Sequence, residues 1–133
     1  MTTFYSIDDA NSALTEVEPI LSALRDERAA IITLRDRALA GRPGGAEPAA
    51  GDPGERRLRL RMQGLIDQMQ AGVVRLDELS VTLRDIESGL IDFPALVAGR
   101  QIWLCWRLGE GRIEWWHELD TGFGSRQRLI DLV

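Results

Sequence analysis

From Leu58 to Leu90, apolar positions recur in alternating steps of four and three without a slip: Leu58, Met62, Leu65, Met69, Gly72, Leu76, Leu79, Leu83, Ile86 and Leu90. That alternation is the seam of a helix packed lengthwise on another helix. It predicts a helix over residues 55–88, about 50 Å long at ~1.5 Å per residue, with small Gly72 allowing close approach. The partner is upstream. "YSIDDANSALTEVEPILSALRDERAAIITLRDRALAG" reads as a first helix, capped by Ser6 with Asp9 three residues on, and stapled by Phe4 or Tyr5. Asp8 and Asp9 suit its first turn. Ile7, Ala10, Leu14, Val17, Leu21 and Leu24 mark one face, which Ile31, Leu34 and Ala38 continue. Pro19 lacks a backbone donor, so a kink or break is expected near residues 15–18, and Gly41 ends the helix.

Between the helices, "GRPGGAEPAAGDPG" carries five glycines and three prolines in fourteen residues. It is expected to be a flexible loop over 41–54, and it holds no glycine pattern for binding phosphate. The helices therefore fold back as a hairpin over residues 6–88. After Gly89 the period changes to two. "RQIWLCWR" and "RIEWWHE" flank "LGEG" as a β-hairpin, and "LIDFPA" supplies a further strand with Pro94 at its edge or end. The expected fold is α+β: a long, coiled-coil-like antiparallel two-helix hairpin with a small C-terminal antiparallel β-sheet over 90–133. A chain of 133 residues suits one domain with one core.

A second apolar stripe, Leu60, Ile66, Val73, Val74 and Val81, lies away from the seam, where the hairpin leaves it uncovered. The C-terminal segment begins near residue 90 and can reach Val81 and Val74, but Leu60 lies about 40 Å along the axis from that start. Such a stripe is best buried on another chain, so a homodimer is expected, with a different protein partner as its variant. No apolar run approaches the ~20 residues of a membrane span, and "MTTFYSIDDA" does not read as a leader, so the expectation is a cytoplasmic protein with no membrane partner. The single cysteine, Cys105, permits no internal disulfide and suits a reducing compartment. Net charge is −5, although residues 35–61 hold seven arginines against four acids. Arg56, Arg57, Arg59 and Arg61 keep nucleic acid open as a third reading, but overall acidity argues against it and a solvated face is expected.

The hairpin turn reads as two residues, Glu110 and Gly111, or four, Leu108 to Gly111. Both counts are even. Ile102, Leu104 and Trp106 then share a face with Ile113, Trp115 and His117, while Trp103, Cys105 and Arg107 share the other with Glu114, Trp116 and Glu118. On that register Cys105 and His117 diverge, no second Cys or His exists, and neither a metal nor any other cofactor is expected. A bulge or a three-residue turn reverses the faces. Cys105 reads as a small buried hydrophobe. "HELD" lacks the second histidine of a zinc protease, and a lone "DTG" lacks the paired aspartates of an aspartic protease. What remains is a polar cluster at a strand end, His117, Glu118 and Asp120 followed by "TGFGSR". It is either a turn in a polar network or a proton-transfer or small-ligand site.

The stretches "FYSIDDANSAL", "GLIDFPA", "GRQIWLCWRLGE" and "WHELDTGFGSR" together resemble the uncharacterised bacterial family called domain of unknown function 2203. The likeness spans nearly all of the chain, although Thr15 stands where that family favours proline. It implies no activity. It is carried by Asn11, Asp92, Cys105, His117, Asp120 and Arg126, so Asn11, Asp92 and the 117–126 turn are candidates to converge, either as a lock between sheet and helices or as a site. No complete catalytic constellation is present. The function expected is a non-enzymatic, homo-oligomeric interaction or scaffold protein. The alternative is a small-ligand or enzymatic site at the His117, Asp120 and Arg126 turn.

Overall fold

The computed structural model describes residues 1–40 and 52–132. Helix α1 spans Ile7–Ala40, and the Ser6 hydroxyl accepts the Asp9 amide at 3.0 Å, as expected of its cap. It runs through Pro19 unbroken. Pro19 and Thr15 are both exposed, so the Thr15 carbonyl that loses its partner can turn to water. Most of the expected loop, with the expected stop at Gly41, lies outside the described residues. Its last three residues instead begin helix α2, Pro53–Glu78: Asp52 is the cap, accepting the Gly54 amide at 3.1 Å, and Pro53 occupies the first turn.

Helix α2 returns antiparallel along α1. The Arg75 guanidinium donates to both carboxylate oxygens of Glu16, while Ala38 and Leu39 stand near Leu58 and Met62 at the other end. Leu58, Met62, Leu65, Met69 and Leu76 are all at least half-buried along the seam. Gly72 has the expected role, since a Cβ there would stand 3.1 Å from Leu24 Cδ2.

The second helix does not reach residue 88. It ends at Glu78, because Ser80 turns left-handed at φ 60°. The Ser80 amide bonds the Asp77 carbonyl and the Val81 amide reaches back to Leu76, both at 2.9 Å. This is a Schellman stop, sealed by buried Leu76 and Val81. Leu83 continues the 4–3 spacing but sits on a strand, paired with Ile91. Val81 thereby leaves the outer stripe for the core.

The sheet has five antiparallel strands in sequence order: β1 Thr82–Asp85, β2 Leu90–Val97, β3 Arg100–Arg107, β4 Trp115–His117 and β5 Gln127–Arg128. The β2–β3 turn is Ala98–Gly99, both at positive φ as a two-residue hairpin requires. Pro94 sits inside β2, opposite Trp103. Its carbonyl faces away from β3 and accepts the Tyr5 amide at 2.8 Å, so its missing donor falls beyond the end of β1. Ile91, Phe93, Ala95, Ile102, Leu104, Trp106 and Trp116 form one core with Ala10, Leu14, Val17, Leu21, Leu24 and Leu76. One sheet face is therefore spent on the helices, and the other is free to carry chemistry.

Candidate functional site

The free face is set by the β3–β4 register. Trp103 pairs with His117, Leu104 with Trp116 and Cys105 with Trp115, so the connection is odd-numbered and the expected faces are reversed. Trp116 joins Leu104 in the core, while His117 and Trp115 lie with Trp103 and Cys105 on the outer face. Side-chain bonds within the loop maintain this register. The Arg107 amide donates to the Glu110 carboxylate at 2.9 Å instead of crossing to β4. The Ile113 amide is taken by Asn11 Oδ1 at 2.8 Å. Gly109, at φ 96°, makes the tight bend between them.

On the other side of β3, Asp92 pairs directly with Cys105. Neighbouring strands thus bring Asp92, Cys105 and His117 together, with their carboxylate, thiol and imidazole atoms all within 4.8 Å of one another. All three residues are buried, Asp92 at 2 % exposure and His117 and Cys105 at 1 %. The inference from an even turn, that Cys105 and His117 diverge, is overturned.

Each member of the cluster is held from outside it. His117 Nδ1 lies 2.8 Å from the Glu118 carbonyl, an acceptor only, so Nδ1 carries a proton. His117 Nε2 lies 2.9 Å from Asp92 Oδ1, also an acceptor unless protonated, so imidazole and carboxylate share one proton across that contact. The second oxygen of Asp92 accepts Arg84 Nε at 2.8 Å. Arg84 reaches it because the β1–β2 register shifts between Leu83 and Asp85, a bulge that re-aims this side chain over Asp92 and Trp103. Burial, followed by the Asp92 charge, pushes the Cys105 thiol from its ordinary 9.0 up to about 11, although Arg126 pulls the other way. It is a protonated thiol at neutral pH.

A cavity of about 280 Å³ opens beside the cluster, with Arg84, Leu90, Leu119, Asp120, Thr121 and Phe123 completing its wall. The candidates named from sequence divide around it. His117 and Asp92 form part of its buried wall, and Asp120, also lining it, is exposed. Glu118 contributes its carbonyl, while its carboxylate pairs with Arg100. Arg126 lies behind Cys105, bonded to both oxygens of Glu110 and stacked over Trp115 and Phe123 at 4.4 and 4.2 Å. Asn11 does not join them. Its amide bonds Ile7 and Ile113 on the helix side, where it clips the β3–β4 loop to α1. Sequence reasoning missed Arg84, assigned to the long helix, and Cys105 as a member of the site. The alternation in "VTLRD" was the available signal for the first; the second turns on the parity of the β3–β4 connection, which the sequence leaves open.

A family model described as "Uncharacterized conserved protein (DUF2203)" matches residues 3–129. No curated protein and no solved structure matches.

Proposed function

We propose for this chain, which belongs to the DUF2203 family of uncharacterized conserved proteins, a non-enzymatic binding function seated on the outer face of the sheet. The observation that carries it is the convergence of Asp92, Cys105 and His117, buried yet bordering an open cavity of mixed polar and apolar lining. Binding is favoured over catalysis because no member is poised to react. Both ring nitrogens of His117 are engaged, which leaves no free base, and the Cys105 thiol is protonated at neutral pH. The free thiol is consistent with the cytoplasmic residence that forms part of this proposal. The test is native mass spectrometry of the protein purified from its own cells, alongside His117→Ala. A bound mass present in the parent and lost from a folded His117→Ala supports the site. No bound mass in the parent, with a large fall in melting temperature for His117→Ala, makes the cluster a structural lock and overturns it.

A second reading rests on a separate surface. Leu60, Val73 and Val74 are exposed on α2, and Ile66, Met69, Val73 and Val74 line a shallow apolar groove there. A second copy of the chain laid along this groove makes the protein a homodimeric scaffold, with Val81 no longer part of the contact. A monomeric mass by light scattering at micromolar concentration overturns it.

A further inference from the structure

We infer that the ligand of this site is a thiophilic divalent transition metal, zinc in the first instance, held by Cys105 Sγ, His117 Nε2 and one carboxylate oxygen of Asp92. This rests on the binding reading above and names its ligand. Among the described residues these three form the one group of metal-ligating side chains close enough to serve a single ion. Thiolate, imidazole and carboxylate are all zinc donors, and together they carry two negative charges against the ion's two positive ones.

The surroundings match what a metal site needs beyond its first ligands. A ligating histidine commonly donates its other ring N–H to a carbonyl, which fixes the tautomer and aims the free nitrogen. His117 Nδ1 is held in this way by the Glu118 carbonyl, leaving Nε2 directed into the cluster. Asp92 is steadied through Oδ2 by Arg84, leaving Oδ1 on the His117 side. The cavity borders all three ligands, so a bound small molecule can complete the coordination.

Ligand atoms around a tetrahedral zinc stand roughly 3.3–3.8 Å apart, given bonds of about 2.0–2.3 Å. The His117–Asp92 contact of 2.9 Å must therefore open slightly, and the outer limit of 4.8 Å must close. The exchange balances. One ion enters, and the thiol proton of Cys105 and the proton shared by His117 and Asp92 leave to solvent.

The full chain, stripped of metal, is titrated with Co²⁺ and then with Zn²⁺ in competition. The expected result is one cobalt per chain, with a near-ultraviolet sulfur-to-cobalt charge-transfer band that zinc abolishes. Cys105→Ala should lose the band and the stoichiometric binding. Arg84→Gln removes the cation that steadies Asp92 and should keep the band while raising Kd roughly 10–100-fold. No band in the parent chain, or stoichiometric binding retained by Cys105→Ala, overturns the metal assignment. Failure here, with a non-metal bound mass still lost from His117→Ala in native spectra, overturns the metal alone. Failure of both removes the site.

Discussion

Cys105 shows what a single residue contributes to this fold. Burial holds its thiol protonated up to about 11, whereas an exposed cysteine ionises near 9.0. The folded state thus binds the proton more tightly. That stability is fully present below pH 9 and is lost as pH rises toward 11, by about 2–3 kcal/mol for a shift of this size. Urea midpoints of the metal-stripped protein measured from pH 8 to 11 should fall more steeply for the parent chain than for Cys105→Ala; Tyr5, whose phenol is also pushed up, adds the same slope to both. Asn11 gives a second prediction. Asn11→Ala leaves the Ile113 amide without its partner and should lower stability by about 1–3 kcal/mol in urea denaturation. At this scale the sequence was half legible. Asn11 stood out among the residues that carry the family resemblance, and its bonds to Ile7 and Ile113 give it a structural role. The placement of Cys105 was not readable, because one residue more or less in a turn moves every side chain beyond it to the other face.

At the scale of elements, the long helical hairpin was legible because seam spacing is a local, repeating signal. The end of α2 was not. Ser80 takes the left-handed position usually given to glycine, and Leu83 and Ile86 keep the helical spacing by coincidence while β1 and its turn use them otherwise. Two turns invite tests. Ala98, at φ 53° beside Gly99, is an exposed non-glycine residue in a turn that prefers Asn-Gly. Ala98→Asn should raise the urea midpoint by the equivalent of about 0.5–1 kcal/mol, without changing the slope. Gly89, at φ 66°, is fixed more firmly, since a Cβ there would stand 2.5 Å from Leu108 Cδ1. Gly89→Ala should lose about 2–4 kcal/mol in the same assay.

For the whole molecule, the proposed pairing along the exposed surface of α2 can be tested directly. If two copies pair along Val73 and Val74, the double variant Val73→Glu with Val74→Glu should sediment as a monomer at concentrations where the parent is a dimer, with its circular dichroism unchanged. The hairpin that carries this surface is fastened at one end. The Tyr5 hydroxyl donates to the Leu79 carbonyl at 2.6 Å, and the Thr3 amide to the Ser80 hydroxyl at 2.8 Å, where both helices meet the sheet. On α2, Leu76 near the sheet is fully buried, while Leu58, Met62, Leu65 and Met69 are half-buried. The strands that hold Asp92, Cys105 and His117 are thus anchored where the helices are pinned to them, and amide exchange should be slower at Leu76 than over residues 58–69.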